Sequence, residues 1–233
     1  MQSLRETLIN RPEKIDVGAH RIPEIKEYIN KNTLCSGLRV TNKGTEFFLT
    51  AQSLIVKDDI VLREIKKMAT WKRISFLEID DVKESSSLEE MGMPLECDYL
   101  VIQSKSGVWK SMVGIPKINT KCTIIGYGGK TIDAYIDCPD ISFQLCGLKR
   151  LDNLPKEVEN LTLNQMFYLK DLETCPEHVK YNFNITNCDI KSLKGAPKTV
   201  GRTFSVRGCD NLKSKEYEPK AGYADYKYNR KLK

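Results

Sequence analysis

Phe183-Asn-Ile185-Thr-Asn-Cys188-Asp-Ile190-Lys-Ser-Leu193-Lys-Gly-Ala-Pro197-Lys-Thr-Val200-Gly-Arg-Thr-Phe204-Ser-Val206 opens on two apolar residues split by a polar one and closes on another such pair. Period-two alternation puts Phe183 and Ile185 on one face of a short strand. Pro197 has no N–H to give a ladder and turns the chain back. Read outward, the prolines set a register: Pro155, Pro176, Pro197 and Pro219 are 21, 21 and 22 residues apart. Seven residues before them stand Leu148, Leu169, Ile190 and Leu212. Four before stand Leu151, Leu172 and Leu193, with Lys215 breaking the series. Three after come Val158, Val179 and Val200, and then the pairs Leu161/Leu163, Phe183/Ile185, Phe204/Val206 and Tyr226/Tyr228. A compressed unit, Phe143-x-Leu145-Cys146-x-x-x-x-Leu151, precedes them.

A unit this short cannot cover its own apolar face, so successive units must stack and share one column of core. With stacked strands ~4.8 Å apart, Phe183 should lie between Leu161 and Phe204.

As a motif, Phe183-x-Ile185-x-x-Cys188-x-Ile190-x-x-Leu193 follows the pattern LxLxxN/CxL. Phe204-x-Val206-x-x-Cys209-x-x-Leu212 carries one extra residue, and the unit at Leu161-x-Leu163 puts Met166 in the cysteine place. Here the chain resembles the leucine-rich-repeat proteins. The phrase Ser192-Leu-Lys-Gly-Ala-Pro-Lys-Thr-Val-Gly-Arg-Thr-Phe204 is similar to the SLEGAPKxVGGxF repeats of many bacteriophage-encoded proteins. The resemblance covers residues 141–229. It implies a viral origin and a mainly β, leucine-rich-repeat-like parallel β-solenoid. A cysteine-rich cap is missing and the convex arm is short, so a receptor-like role is not carried over.

Upstream, Pro94, Pro116 and Pro139 continue the series at spacings of 22 and 23, then 16 to Pro155. Leu100/Ile102 and Cys122/Ile124 sit where strand pairs belong, and Trp109 and Met112 take the seven-before and four-before places. Residues 95–140 read as degenerate coils and 141–229 as clear repeats of a solenoid over 71–233, with Ile74-x-Phe76 its earliest strand. Residues 1–70 read as a small α+β N-terminal cap. Helices are expected over 1–9 and 23–31, the second with Pro23 in its first turn. Asp58-Asp59 should cap a third helix, whose apolar face holds Ile60, Leu62, Ile65 and Met68 and whose Glu64 and Lys67 pair three apart. Leu38–Val40 and Glu46–Leu49 should form a hairpin across Lys43-Gly44.

Composition narrows the function. Hydrophobic residues make up 40% of the 233 and charged residues 29%; the most apolar window, Phe47 to Val56, is too short and too polar for a membrane span. Charges in MQSLRETLINRPEK stand where a signal peptide needs apolar residues, so synthesis in a reducing cytoplasm is expected. There the sequons at Asn160 and Asn184 have no meaning. Eight cysteines (35, 97, 122, 138, 146, 175, 188, 209) form no CxxC pair and two histidines accompany them, so neither zinc nor a disulfide framework is indicated. Most of the thiols read as core, with Cys146, Cys188 and Cys209 in the inward N/C place.

Ile124-Ile-Gly-Tyr-Gly-Gly-Lys-Thr131 ends like a P-loop, but the first glycine of GxxxxGK[ST] falls on Ile124, and Pro139 and strand-like alternation replace the following helix. It reads as a glycine-rich turn between coils. His178 occupies a turn position held by Glu157 and Thr199 in sister units, and His20 lies in a polar loop; no nucleophile accompanies either. Asp80-Asp81 and Glu89-Glu90 border a serine-rich loop and read as surface. No enzyme and no cofactor is expected.

If Phe183 and Ile185 point inward, Asn184 and Thr186 point out. Their equivalents are Gln144, then Thr162 and Asn164, Ser205 and Arg207, and Lys227 and Asn229. Such a polar, mostly uncharged ladder suits a protein surface. The expected function is non-enzymatic protein binding, with a host or viral protein as partner, in the host cytoplasm if the chain is viral. The first alternative is a virion structural or decoration component. The second rests on charge: Lys191 to Lys233 hold twelve Lys/Arg against four Asp/Glu within a net +6, which would suit nucleic acid.

Overall fold

The computed structural model describes residues 21–229 and 232; the helix expected over 1–9 and His20 lie outside the described residues. Helix α1 (Arg21–Asn32) is followed by β1 (Leu34–Ser36), β2 (Arg39–Lys43) and β3 (Glu46–Val56). Then come α2 (Asp59–Met68), β4 (Thr70–Ile79), the single turn α3 (Leu88–Met91), β5 (Glu96–Gln103) and β6 (Lys117–Ile125). The series ends with β7 (Asp140–Gln144), β8 (Glu157–Asn164), β9 (His178–Thr186), β10 (Thr199–Arg207) and β11 (Lys220–Lys227). All eleven strands belong to one sheet, and β3 to β11 neighbour one another in chain order. Every pairing from β3 onward is parallel. Parallel neighbours in chain order require each connection to make a full circuit back to the same end. Each circuit is one coil of a β-solenoid.

Two inward columns run through the nine parallel strands in register. One is Leu54, Leu77, Leu100, Cys122, Ile141, Leu161, Phe183, Phe204 and Ala224; the other is Val56, Ile79, Ile102, Ile124, Phe143, Leu163, Ile185, Val206 and Tyr226. Phe183 therefore sits between Leu161 and Phe204, its ring 5.5 Å from that of Phe204. Val158, Val179, Val200 and Ala221 form a third column. Leu148, Leu169, Ile190 and Leu212 fill the core from the return arms, as do Leu151, Leu172 and Leu193. A buried leucine, isoleucine or phenylalanine contributes about 1.5–3 kcal/mol, and each column residue is useful only with a neighbour above and below.

The phrase around Pro197 has a local physical reason. Ala196 N–H donates to Leu193 O at 2.9 Å, closing a four-residue turn immediately before the proline. Its third residue, Gly195, has φ +80°, and a Cβ there would stand 2.1 Å from Glu173 Cα in the preceding coil. Such a turn calls for glycine. Met112–Ile115 and Lys215–Glu218 close the same way, with Gly114 and Tyr217 at positive φ.

Three strand pairs expected from the pattern are displaced. Around Ile74-x-Phe76, which is not the earliest strand of the stack, Leu77 and Ile79 take the inward columns and Phe76 faces outward. In the last coil Ala224 and Tyr226, not Tyr226 and Tyr228, continue the columns; Tyr228 is 81% exposed. Two one-residue shifts are the reason: Pro219 stands 22 residues after Pro197 while Ala221 pairs with Val200, 21 back, and β10 then fits Gly201 and Arg202 where β11 has Gly222 alone, so counting from Pro219 overshoots by two residues. In the compressed unit Ile141 and Phe143 point inward, and Leu145, at φ +54°, is exposed. Leu145 belongs to a row of left-handed residues that end successive strands, with Gly126, Gln165, Asn187, Gly208 and Tyr228. The N–H of each of the first five donates to the carbonyl of the last strand residue in the next coil, at 2.8–3.0 Å.

The parallel stack begins within the first seventy residues, because β3 already pairs in parallel with β4. Strands β1 and β2 lie antiparallel along the edge of β3 that β4 leaves free, β2 joined to β3 through Gly44 at φ +64°. Helix α2 is the return arm of that first coil. Leu62 and Ile65 are buried, whereas Ile60 is 37% exposed and does not belong to the apolar face. Nor does Asp58 cap the helix: its side chain makes no cap bond and instead pairs with Lys83 at 3.0 Å. Asp59 is wholly buried and accepts the N–H groups of Ser85 at 2.7 Å, Lys83 at 2.8 Å and Glu84 at 3.4 Å. Burial works to raise its pKa, but the hydrogen bonds outweigh it and hold the carboxyl below its ordinary value. Glu64 and Lys67 pair at 2.6 Å.

Candidate partner-binding face

Between and beside the inward columns, alternate strand residues face outward. In register they form a row Val101, Thr123, Ser142, Thr162, Asn184, Ser205 and Asp225, and a second row Gln103, Ile125, Gln144, Asn164, Thr186, Arg207 and Lys227. Gln144, Thr162, Asn164, Asn184 and Thr186 stand together on three adjacent strands, each half-buried by its neighbours. Their side chains make no hydrogen bond to any described residue. These unspent donors and acceptors contrast with the next row on the same face, where the Asn182 amide donates to Asn160 Oδ1 at 3.0 Å.

Toward the C-terminus the face changes. Ser205 is only 6% exposed, so it offers a partner little. Arg207 forms an ion pair with Asp225, which occupies the ladder position below Ser205 and is itself buried. Lys227 is exposed beside Arg207.

Asn229 does not point outward. Its Oδ1 accepts the Cys209 N–H at 2.7 Å and its Nδ2 donates to Val206 O at 2.8 Å. The displaced register carries it into the row that follows the left-handed residues: Tyr127, Cys146, Met166, Cys188, Cys209 and Asn229. Cys146 and Cys188 donate to the matching carbonyls of their preceding coils, Ile124 O and Leu163 O, both at 3.5 Å. A thiol and an amide thus do the same work of satisfying a buried carbonyl. Burial pushes Cys97, Cys138 and Cys146 up to about 12, which makes them poor nucleophiles and poor metal ligands. Among the described residues no group of His, Cys, Asp and Glu is arranged to hold a metal ion.

The sequence pattern missed the outward side of the earlier coils. Phe76, Tyr99, Val101 and Ile125 face away from the columns that Leu77, Leu100, Ile102 and Ile124 fill, and Tyr99 is 45% exposed. Alternation around Leu100/Ile102 held the signal, but in Tyr99-Leu-Val-Ile102 every residue is apolar, so no polar partner marks the outer face.

The glycine-rich segment is a turn, with neither helix nor strand between Gly126 and Pro139. Its glycines are there for packing. A Cβ on Gly126 would lie 1.9 Å from Ser104 O, and one on Gly128 would lie 2.1 Å from Gly107 O. Gly126 N–H donates to Gln144 O and Gly128 N–H to Trp109 O, both at 2.9 Å, so these amides hold neighbouring coils and are not free for a phosphate. His178 lies 2.8 Å from Thr199 Oγ1, its register partner in the next coil. Many basic side chains of the later coils are matched by an acid one coil away: Lys170 with Asp189, Lys180 with Glu159, Lys194 with Glu173 and Lys198 with Glu177.

Among the described residues no helix is long and apolar enough to cross a membrane. Compared with protein-family models, with curated proteins and with solved structures, the chain finds no match.

Proposed function

We propose that the chain is a non-enzymatic, leucine-rich-repeat-like solenoid that binds a protein through its strand-lined face, with α1, β1 and β2 serving to cover the first coil. The observation that carries this reading is the patch of Gln144, Thr162, Asn164, Asn184 and Thr186, whose side chains spend no hydrogen bond within the described protein. Rigid strands fix the spacing of these groups, and Tyr99, Val101 and Ile125 extend the face with apolar surface. Unpaired polar groups beside an apolar area are the makings of an interface. The phrase Ser192–Phe204 supports a bacteriophage origin, with a host or viral protein as partner in the host cytoplasm.

The test is capture of partners by the tagged chain in the cells that make it, beside a variant carrying Gln144→Ala, Asn164→Ala, Asn184→Ala and Thr186→Ala. A partner bound by the parent and lost from the variant, at unchanged melting temperature, supports the reading; full retention removes this face. A virion component is the second reading, favoured by the uninterrupted stack, which makes a stiff spacer. Mass spectrometry of purified particles decides it, since stoichiometric presence requires a structural role. Nucleic-acid binding is the third, resting on exposed Lys213, Lys220 and Lys227.

A further inference from the structure

The turns that follow β5, β6 and β7 enclose a groove of about 790 Å³, open to solvent and adjoining the strand-lined face at Gln103 and Ile125. Lys105, Lys130 and Lys149 line it, one from each of three successive coils, and no acidic residue does. None of the three makes an ion pair with a described residue, unlike Lys170, Lys180, Lys194 and Lys198, each of which has an acid one coil away. With coils ~4.8 Å apart, the three ammonium groups are spread over roughly 10 Å along the stack. Beside them Leu145 is 46% and Tyr168 is 59% exposed, and both line the same groove. Close packing of Gly126 and Gly128 against the preceding coil keeps side chains out of the floor.

We infer that this groove takes an acidic polypeptide segment with a bulky apolar side chain, contributed by the protein that the strand-lined face binds. The inference rests on the protein-binding reading and adds the chemistry of the partner. Three lysines on successive coils, none in an ion pair with a described residue, select a run of carboxylates. The nearby carboxylate of Asp81 is held on the Lys105 backbone N–H at 2.8 Å. Leu145, Ile125 and Tyr168 give an apolar side chain a place to anchor. Lysine fits this use because its ammonium is a point charge on a flexible stem and can follow carboxylates that are not in a fixed array. A nucleic acid is the weaker fit, since of the two tyrosines lining the groove Tyr127 is fully buried and Tyr168 alone is exposed for a base to stack on.

Fluorescence anisotropy of the whole chain tests this with two labelled probes: a short peptide in which Glu and Asp alternate with Phe, Leu and Ser, and an oligothymidylate. The variants are Lys105→Glu/Lys130→Glu/Lys149→Glu, Tyr168→Ala, and Asn184→Ala/Thr186→Ala as the ladder control. All the substituted groove residues are exposed, and circular dichroism checks that the fold is kept. The expected result is peptide binding weakened about tenfold or more by the triple reversal and several-fold by Tyr168→Ala, with the ladder control unchanged. Equal peptide binding by parent and triple variant, or no binding by the parent, overturns the groove inference while leaving the ladder test of the face untouched. Tighter, lysine-dependent binding of the oligothymidylate overturns it in favour of nucleic acid.

Discussion

Replacing Asp59 by alanine should loosen the joint between the first two coils, and the size of the effect can be worked from its contacts. The carboxylate is wholly buried and accepts two short backbone N–H bonds, from Ser85 at 2.7 Å and Lys83 at 2.8 Å, and a long one from Glu84 at 3.4 Å. Hydrogen bonds to a charged group are worth about 1.5–3 kcal/mol each, and stranding their buried donors adds to the loss. Counting the two short bonds gives about 3–6 kcal/mol for Asp59→Ala, and roughly half for Asp59→Asn, which keeps one acceptor. For a chain of this size that is a fall in melting temperature of about 6–24 °C for the alanine variant. The pH dependence has a definite sign. The folded carboxyl titrates below its unfolded value, so its contribution is complete above the unfolded pKa, near 4, and disappears as pH falls through the folded pKa. Urea melts of parent and Asp59→Ala at pH 7, 5 and 3 should therefore show a gap that is equal at the first two and narrower at the third. A gap below about 0.5 kcal/mol at pH 7, or one that does not narrow in acid, would refute the reasoning.

Gly128→Ala should destabilise by more than about 2 kcal/mol, because its Cβ would meet Gly107 O at 2.1 Å; Gly44→Ala, with nothing within 4 Å but φ +64°, should lose only about 1–2 kcal/mol, and thermal melts compare them. Asn229→Ala strands Val206 O and the Cys209 N–H, so it should cost about 1–3 kcal/mol in a urea melt and leave partner capture intact. Cys97, Cys138 and Cys146 should resist iodoacetamide at pH 8 and react promptly once the chain is unfolded in urea, as peptide mass mapping would show; fast native labelling of Cys146 would contradict its place in the core.

Proline spacing and period-two alternation made the stack readable from residue 95 onward, because every coil needs a corner and every inward pair needs a neighbour. Phe183, Ile185, Phe204 and Val206 lie where that pattern puts them. Counting could not reveal the bulges. Gly201-Arg202 against Gly222 moves the last coil by one residue and the shorter spacing from Pro219 to Ala221 by another, and together they send Asn229 inward and bring Asp225 into the ladder. The first coil was hidden for a different reason: its return arm is helical, so the turn chemistry that marks the other coils is missing between Val56 and Thr70. Asp59 looked like a cap because Asp before a helix usually is one, and only the loop at Lys83–Ser85, a full coil away, explains its burial. The basic groove lay beyond the proline count, since Lys105, Lys130 and Lys149 stand 11, 9 and 6 residues before Pro116, Pro139 and Pro155, and only the strand ends show that Lys130 and Lys149 share a place in successive coils.

The left-handed residues that close the strands have a mechanical consequence. Each but Tyr228, in the last coil, passes one N–H to the next coil, so the bonds that join coils lie along the stack rather than across it. Tension between the two ends would load those bonds a few at a time and strip the molecule winding by winding, beginning where Ala224 and Tyr226 are least enclosed. Each release would pay out about 70 Å of chain. A sawtooth force trace of near-even steps, in place of one all-or-none rupture, is the response such an architecture should give to pulling.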